Sequence, residues 1–420
     1  METPNGNAGG GALAGVRVLD MTQMLAGPIC GMRLGDLGAD VLKIEPPGTG
    51  EFNRTHSLAG AYKNGHATTF LALNRNKRSV AINLKHADGQ AAFTALVATA
   101  DVLIQNFRPG VTERLGIGYD AMAAINPGLV YCSISGYGQD GPYKHRPGQD
   151  LVVQGYSGSM FSVGKASDPP APGALWAADT MTGYQAAIGI LGALVARGRT
   201  GRGQRVDVDM LSVVMDAQLQ ELVTFLNTGI EAERSEESGA HAHIGAPYGV
   251  YETADSWITL AMCPAVALAE AIDVPALARF TDYDDGVHHR DEIYRLVRPA
   301  MRARTTADWL PILDAAGVWA GPVYDHAALA ADPHVIATGM ITEVEHPVAG
   351  TVRTPAPPLK LSDTPVEIRR AAPLLGEHTA EVLGELPGYD RERIAELAAS
   401  GAIGLVTTIE YGELAPMPTA

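Results

Sequence analysis

Apolar positions along the chain follow two rhythms in turn. Short runs rich in β-branched residues occur at Val16-Arg17-Val18-Leu19-Asp20, at Val41-Leu42-Lys43-Ile44-Glu45, and over residues 101–106 and 129–135. Helical spacing fills residues 91–100 and 119–126. Pro28 stands at a first helical position and Gly38 where a C-terminal cap belongs, so the first two runs bracket a helix as one βαβ unit. The alternation predicts a parallel sheet with helices on both faces.

Beyond Gly136 the pattern gives way to a loop rich in glycine, proline and charge that runs to Gly148. A helix is then expected over 180–197, a strand over 205–209 and a long helix over 211–226. Residues 228–246 are polar and irregular and read as a linker. A strand pair within 248–262 and helices over 291–302 and 306–316 predict a smaller α+β domain spanning 247–326. Residues 327–410 would lead the chain back to a large Rossmann-like domain whose N-terminal part covers 13–227. Residues 1–12 read as a disordered lead-in and 411–420 as a frayed tail. No internal repeat is evident.

Composition agrees with two domains, because 420 residues exceed the ~250–300 at which a single core stops growing. A hydrophobic share of 46% with 19% charged residues is that of an ordinary soluble globular protein. The formal net charge of −16 argues against nucleic acid or an anionic membrane surface as partners. An anionic ligand would need a local basic island. Cys30, Cys132 and Cys263 form no CxxC pair, so neither a zinc knuckle nor a disulfide framework is indicated. The polar first residues lack a signal-peptide pattern, and the longest apolar run, 186–196, is too short to span a bilayer. A soluble cytoplasmic protein is expected.

Several familiar signatures are missing. The first βα turn, residues 21–28, lacks the glycine fingerprint of dinucleotide binding, and the chain carries no Walker A sequence. A nicotinamide oxidoreductase is thereby disfavoured. Gly155-Tyr156-Ser157-Gly158-Ser159 falls one residue short of a nucleophile elbow. The pairs His241/His243 and His288/His289 have no evident third ligand, so no metal is expected. The basic island is the stretch holding Arg75, Lys77, Arg78, Lys85, Arg108 and Arg114 against Asp88, Asp101 and Glu113. It reads either as a phosphate cradle or as a solvated face. Asp179, just before an apolar helix, reads as an N-cap. The N-cap is the plainer reading from the residues alone, but the same geometry would let a helix N-terminus keep the carboxylate ionised for attack on an activated acyl group. The two readings are compatible.

Taken together, a series of motifs resembles the class III CoA-transferases, the family of formyl-CoA transferase and carnitine CoA-transferase. They are Gly15-Val16-Arg17-Val18-Leu19-Asp20, Ala26-Gly27-Pro28, Leu37-Gly38-Ala39-Asp40-Val41 and Lys43-Ile44-Glu45. Asn74-Arg75-Asn76-Lys77-Arg78-Ser79, Asn106-Phe107-Arg108-Pro109-Gly110, Arg199-Thr200-Gly201-Arg202-Gly203-Gln204 and Leu374-Leu375-Gly376-Glu377-His378-Thr379 follow in the family's order. The resemblance covers residues 13–397. It implies an interlocked homodimer in which each subunit pairs a large Rossmann-like domain with a small one. It implies Asp179 as a nucleophile that passes through a mixed anhydride and an aspartyl-CoA thioester while CoA moves from an acyl-CoA donor to a carboxylic acid. Coenzyme A would lie along Ala26, Ile82, Asn83, Leu84, Lys85, Asn106, Phe107, Arg108 and Arg114, the last two suited to its phosphates. Leu25, Gln149 and Asp150 would face the acyl group.

The chain departs from the formyl-CoA transferases in having Leu25 for a glutamine and Pro46 for an arginine. Residues 238–245 stand where those enzymes have a glycine-rich flap. These differences argue against a formate and oxalate pair. An α-methylacyl-CoA racemase shares the same fold and is the alternative reading. It needs a histidine where this chain has Gln149, in Pro147-Gly148-Gln149-Asp150, and glutamine exchanges no proton near neutral pH. A non-catalytic subunit of a hetero-oligomer would lack Asp179.

Overall fold

A computed structural model describes residues 10–237 and 240–406. The lead-in reading of 1–12 falls mostly outside these residues, and the tail reading of 411–420 wholly so. The chain forms two compact units, one of residues up to 150, 178–213 and 334 onward, the other of residues 151–177 and 214–333.

The first unit is a mixed α/β layer built on seven strands. In chain order its main elements are β1 (Arg17–Asp20), α1 (Ala26–Asp36), β2 (Asp40–Glu45), β3 (Lys77–Ile82), α2 (Ala87–Val97), β4 (Val102–Gln105), α3 (Tyr119–Ile125) and β5 (Val130–Ser135). There follow α4 (Asp150–Ser157), whose first residue alone belongs to this unit, α5 (Ala177–Thr200), β6 (Arg205–Asp209) and β7 (Ile403–Gly404). The strand order is β7-β3-β2-β1-β4-β5-β6, parallel throughout except for β7. Reading outward from β1, the chain first builds β2 and β3 on one side and then β4, β5 and β6 on the other. The order therefore reverses between β1 and β4, which leaves a crevice beyond the carboxyl ends of these two strands.

Alternation along the strands divides the core into two layers. Val18, Val41, Val102 and Val130 face α1 and α5, whose Cys30, Leu34, Ala186 and Ile190 close one side. Leu19, Leu42, Leu103 and Tyr131 face α2 and the C-terminal helices, represented by Phe93, Leu96, Val382 and Leu397. Helices α1 and α5 thus cover the same face of the sheet.

β3 was not legible as a strand. Its Lys77 and Arg78, read above as part of a basic island, are 0% and 7% exposed. Lys77 Nζ lies 2.8 Å from Asp20, and Arg78 reaches Asp40, Glu381 and Glu385. Arg75 is held by Asp36 at 2.8 Å. These three cations are neither a phosphate cradle nor a solvated face, because carboxylates inside the protein already neutralise them. The hairpin Ile341–His346 and Gly350–Pro355 was likewise missed.

In the second unit the expected strand pair forms as Gly249–Glu252 and Trp257–Leu260, joined by Ala320–Pro322 in an antiparallel sheet. Its helices Arg290–Met301 and Thr306–Ala315 lie close to their expected positions. The long helix expected over 211–226 is broken at Gln218 into Met210–Ala217 and Leu219–Thr228. Residues 151–177, placed by the sequence in the large domain, pack in this unit. The Arg234 guanidinium donates to the carbonyls of Val163 and Asp168, at 3.3 and 2.8 Å.

Candidate functional site

The site assembles where α5 begins. The helix starts at Ala177, three residues before its expected position, so Asp179 is its third residue and not its cap. The capping partner is Asp150, 2% exposed, whose Oδ1 accepts the Asp179 N–H at 3.1 Å. One turn on, Gly183 meets α1 so closely that a Cβ there would lie 2.5 Å from the Ala26 carbonyl oxygen. Only glycine permits that approach. Residues four apart share a helix face, so the approach of Gly183 also brings Asp179 onto the first turn of α1. The N-cap residue of α1, Leu25, has no side-chain acceptor to offer, which leaves the leading N–H groups to acceptors from elsewhere. The Ala26 N–H donates to the Asp179 carboxylate.

The electrostatics of Asp179 follow from this placement. Burial raises its pKa, the Asp150 carboxylate raises it further, and the Ala26 hydrogen bond pulls it back, leaving it at about 6. Among the described residues no cation pairs with it. The group is mostly ionised at neutral pH yet poorly solvated and uncompensated, which suits a nucleophile.

A cleft of about 580 Å³ opens at the carboxyl ends of β1, β2 and β3. Ile82, Asn83, Leu84, Lys85 and Phe107, all expected from sequence, line it. Residues the sequence did not reveal line it as well: Met21, Thr22 and Gln23 after β1, Pro46 and Pro47 after β2, and Glu51. The available signal was topological, since ligands of doubly wound sheets bind outside the strand ends at the reversal of order. Lys85, Arg108 and Arg114 are exposed, and among the described residues none of them forms an ion pair. Asn106 uses both ends of its side-chain amide on the Gln23 backbone, at 2.9 and 2.8 Å.

The structure thus brings Asp179, Asp150, Ala26 and the half-buried Leu25 together at the α1–α5 junction. The five cleft residues form a second group on the same unit. Gln149 is exposed beside Asp150. Among the described residues no three side chains gather as a metal site, and His241 instead lies 3.5 Å from Glu221. Of the segment compared with the glycine-rich flap, Ser238 and Gly239 lie outside the described residues.

The family model described as CoA-transferase family III matches residues 13–379. The human succinyl-CoA:glutarate CoA-transferase is 34% identical, over 93% of this chain and 90% of its own. The succinyl-CoA–L-malate CoA-transferase beta subunit of Chloroflexus aurantiacus is 37% identical, over 93% of this chain and 98% of its own. A crystal structure of a CAIB/BAIF family protein from Brucella suis superposes with a TM-score of 0.77 at 30% identity, covering 90% and 99% of the two chains. With the family model matching residues 13–379 and relatives of 34% and 37% identity aligned over 93% of its length, the chain belongs to CoA-transferase family III.

Proposed function

We propose that this class III CoA-transferase moves CoA between two carboxylic acids through covalent intermediates on Asp179. The observation that carries the reading is a poorly solvated carboxylate with a pKa of about 6, held at a helix N-terminus beside the reversal point of the sheet. The Asp179 carboxylate attacks the thioester carbonyl of the donor, breaking its C–S bond and releasing CoA thiolate. The product is a mixed anhydride of Asp179 and the donor acid. The thiolate then attacks the aspartyl carbonyl, forming an aspartyl-CoA thioester and expelling the donor carboxylate. The acceptor carboxylate repeats the sequence in reverse, leaving acceptor acyl-CoA and free Asp179. The Ala26 N–H is placed to stabilise negative charge on the aspartyl oxygen.

Coenzyme A would occupy the cleft along Ile82, Asn83, Leu84, Lys85 and Phe107. Ala26 and Asn106 would border it, and Lys85, Arg108 and Arg114 would meet its phosphates. Leu25, Gln149 and Asp150 would face the acyl group. Donor and acceptor are drawn from short dicarboxylic acids, the class in the names of both relatives above. The working form is an interlocked homodimer in the cytoplasm. Ile188 and Val195 on α5 are 61% and 65% exposed in the single chain, as an interface would require. Among the described residues no helix is long and apolar enough to cross a membrane.

The test uses the protein with succinyl-CoA alone. The peptide containing Asp179 is expected to gain the mass of CoA less water, and hydroxylamine to inactivate the enzyme only after succinyl-CoA is added. Asp179→Asn is expected to lose both the adduct and turnover with glutarate or malate. Retained turnover in that variant, with no adduct, would refute the mechanism.

A further inference from the structure

The segment joining β1 to α1 is held in an unusual way. Side chains take every backbone N–H and C=O of Thr22, Gln23 and Met24. The Thr22 N–H donates to Asp20 at 2.9 Å, and its carbonyl accepts from Lys43 at 3.0 Å. The Gln23 N–H and carbonyl are matched by the two ends of Asn106. The Met24 N–H donates to Glu51 at 3.2 Å, and its carbonyl accepts from Asn53 at 2.5 Å. Met24 has φ of +68°, in the left-handed region that a non-glycine residue seldom adopts. Its own side chain is 45% exposed, so packing does not hold it there. The two groups that do are 3% and 5% exposed and come from the turn at Phe52–Arg54. Glu51 is itself fixed by Asn74 at 3.2 Å and by Lys43 at 3.5 Å. Backbone strain persists only where its surroundings over-determine it, and it gathers at functional sites.

Two residues after Met24 comes Ala26, whose N–H meets Asp179. We propose that Glu51 and Asn53 are positioning residues for this nucleophile: by forcing Met24 into the left-handed region they aim the first N–H of α1 at the Asp179 carboxylate. The inference rests on the reading of Asp179 as nucleophile. Without the clamp Met24 relaxes to negative φ, the chain leaves β1 in another direction, and the donor swings away from the carboxylate. Asn53 itself lies outside the cleft proposed for CoA, so the effect of changing it falls on kcat.

Asn53 is the residue to vary, because Glu51 also lines the cleft and Asn53 does not. The test follows the rate of CoA adduct formation on Asp179 with succinyl-CoA, together with the urea midpoint of each variant. Asn53→Ala is expected to slow adduct formation about tenfold or more, since a displacement of ~1 Å can cost that much. The KM for succinyl-CoA should stay within about twofold. Asn53→Asp keeps the volume but removes the donor and should behave alike, which decides the matter should Asn53→Ala not fold. The discriminating arm repeats Asn53→Ala in a Met24→Gly background. Glycine adopts positive φ without a clamp, so there the same change should cost less than about threefold. A merely structural asparagine would cost the same in both backgrounds. Wild-type kcat in Asn53→Ala, or an undiminished loss beside Met24→Gly, would overturn the inference. If instead Asp179→Asn stays active without an adduct, the nucleophile itself has been misassigned.

Discussion

Buried carboxylates near the same sheet edge are treated in opposite ways. Under the β1–β3 ends lies an ionic lattice. Asp20 is 0% exposed and receives Lys77 at 2.8 Å, and Glu45 receives Arg54 at 2.7 Å and the Ser79 hydroxyl at 2.7 Å. Burial opposes ionisation of both, but their cations outweigh it, holding Asp20 low and Glu45 at about 2. At the α1–α5 junction Asp179 has one backbone donor and a like-charged neighbour, and it stands at about 6. A carboxylate saturated with cations has its lone pairs committed and holds elements together. One left short of partners keeps its nucleophilicity at a cost in stability.

The largest effect expected from this contrast is on the lattice. Asp20→Asn leaves the Lys77 ammonium, 0% exposed, without its counter-charge. Loss of one member of a buried pair costs about 3–5 kcal/mol. A urea titration should show it as a large fall in midpoint or as failure to fold. A fall under about 1 kcal/mol would mean that water reaches Lys77 and the lattice is not what holds the strand ends.

The next effect is on pH dependence. Asp179 must be ionised to attack, so the rate of adduct formation should fall about tenfold per unit as pH drops below ~6. The fold should not fall with it. The pKa of Glu45 is depressed from its ordinary 4.5, so its stabilising share is complete above about 4.5 and is lost as pH falls toward 2. Between pH 5 and 6 the enzyme should therefore slow while its far-ultraviolet circular dichroism stays constant. A rate flat down to pH 4.5 would place the Asp179 pKa in the ordinary range and erase the contrast.

The same contrast explains what could be read from the sequence. β1, β2, β4 and β5 were legible because their burial is apolar on both faces, which writes itself as runs such as Val18-Leu19 and Val41-Leu42. β3 was not, because Lys77 and Arg78 are buried by pairing with Asp20 and Asp40, partners 57 and 38 positions away. No local pattern records such a partner. Asp179 stood out through the resemblance, but its setting did not. The cap supplied by Asp150 and the donor supplied by Ala26 come from positions 29 and over 150 residues distant, and they converge only through the close approach of Gly183. Lys85, Arg108 and Arg114 looked the same as Arg75, Lys77 and Arg78 on paper. What separates them is whether an acid reaches them in the fold.

The smallest effect is opposite in sign to the first, and it makes the comparison sharp. Asp179→Asn exchanges a carboxylate for an amide just as Asp20→Asn does, yet here the exchange should stabilise. A carboxyl whose pKa is raised on folding binds its proton more tightly in the folded state. Keeping it ionised therefore costs stability in full where pH exceeds the raised value of about 6, and the cost shrinks as pH falls below it and vanishes only under the ordinary 3.8. The asparagine amide is neutral at every pH, and its oxygen can still accept from Ala26. Because Asp179 is only partly buried, the gain is put at about 1 kcal/mol at pH 7.5, well short of the full shift. Paired urea titrations at pH 7.5 and pH 5 decide it. The variant should be the more stable at pH 7.5, and the gap should narrow at pH 5, where Asp179 of the folded wild type is mostly protonated. A destabilised Asp179→Asn at pH 7.5 would show that the carboxylate is held by partners as the lattice carboxylates are, and that the two regions are alike.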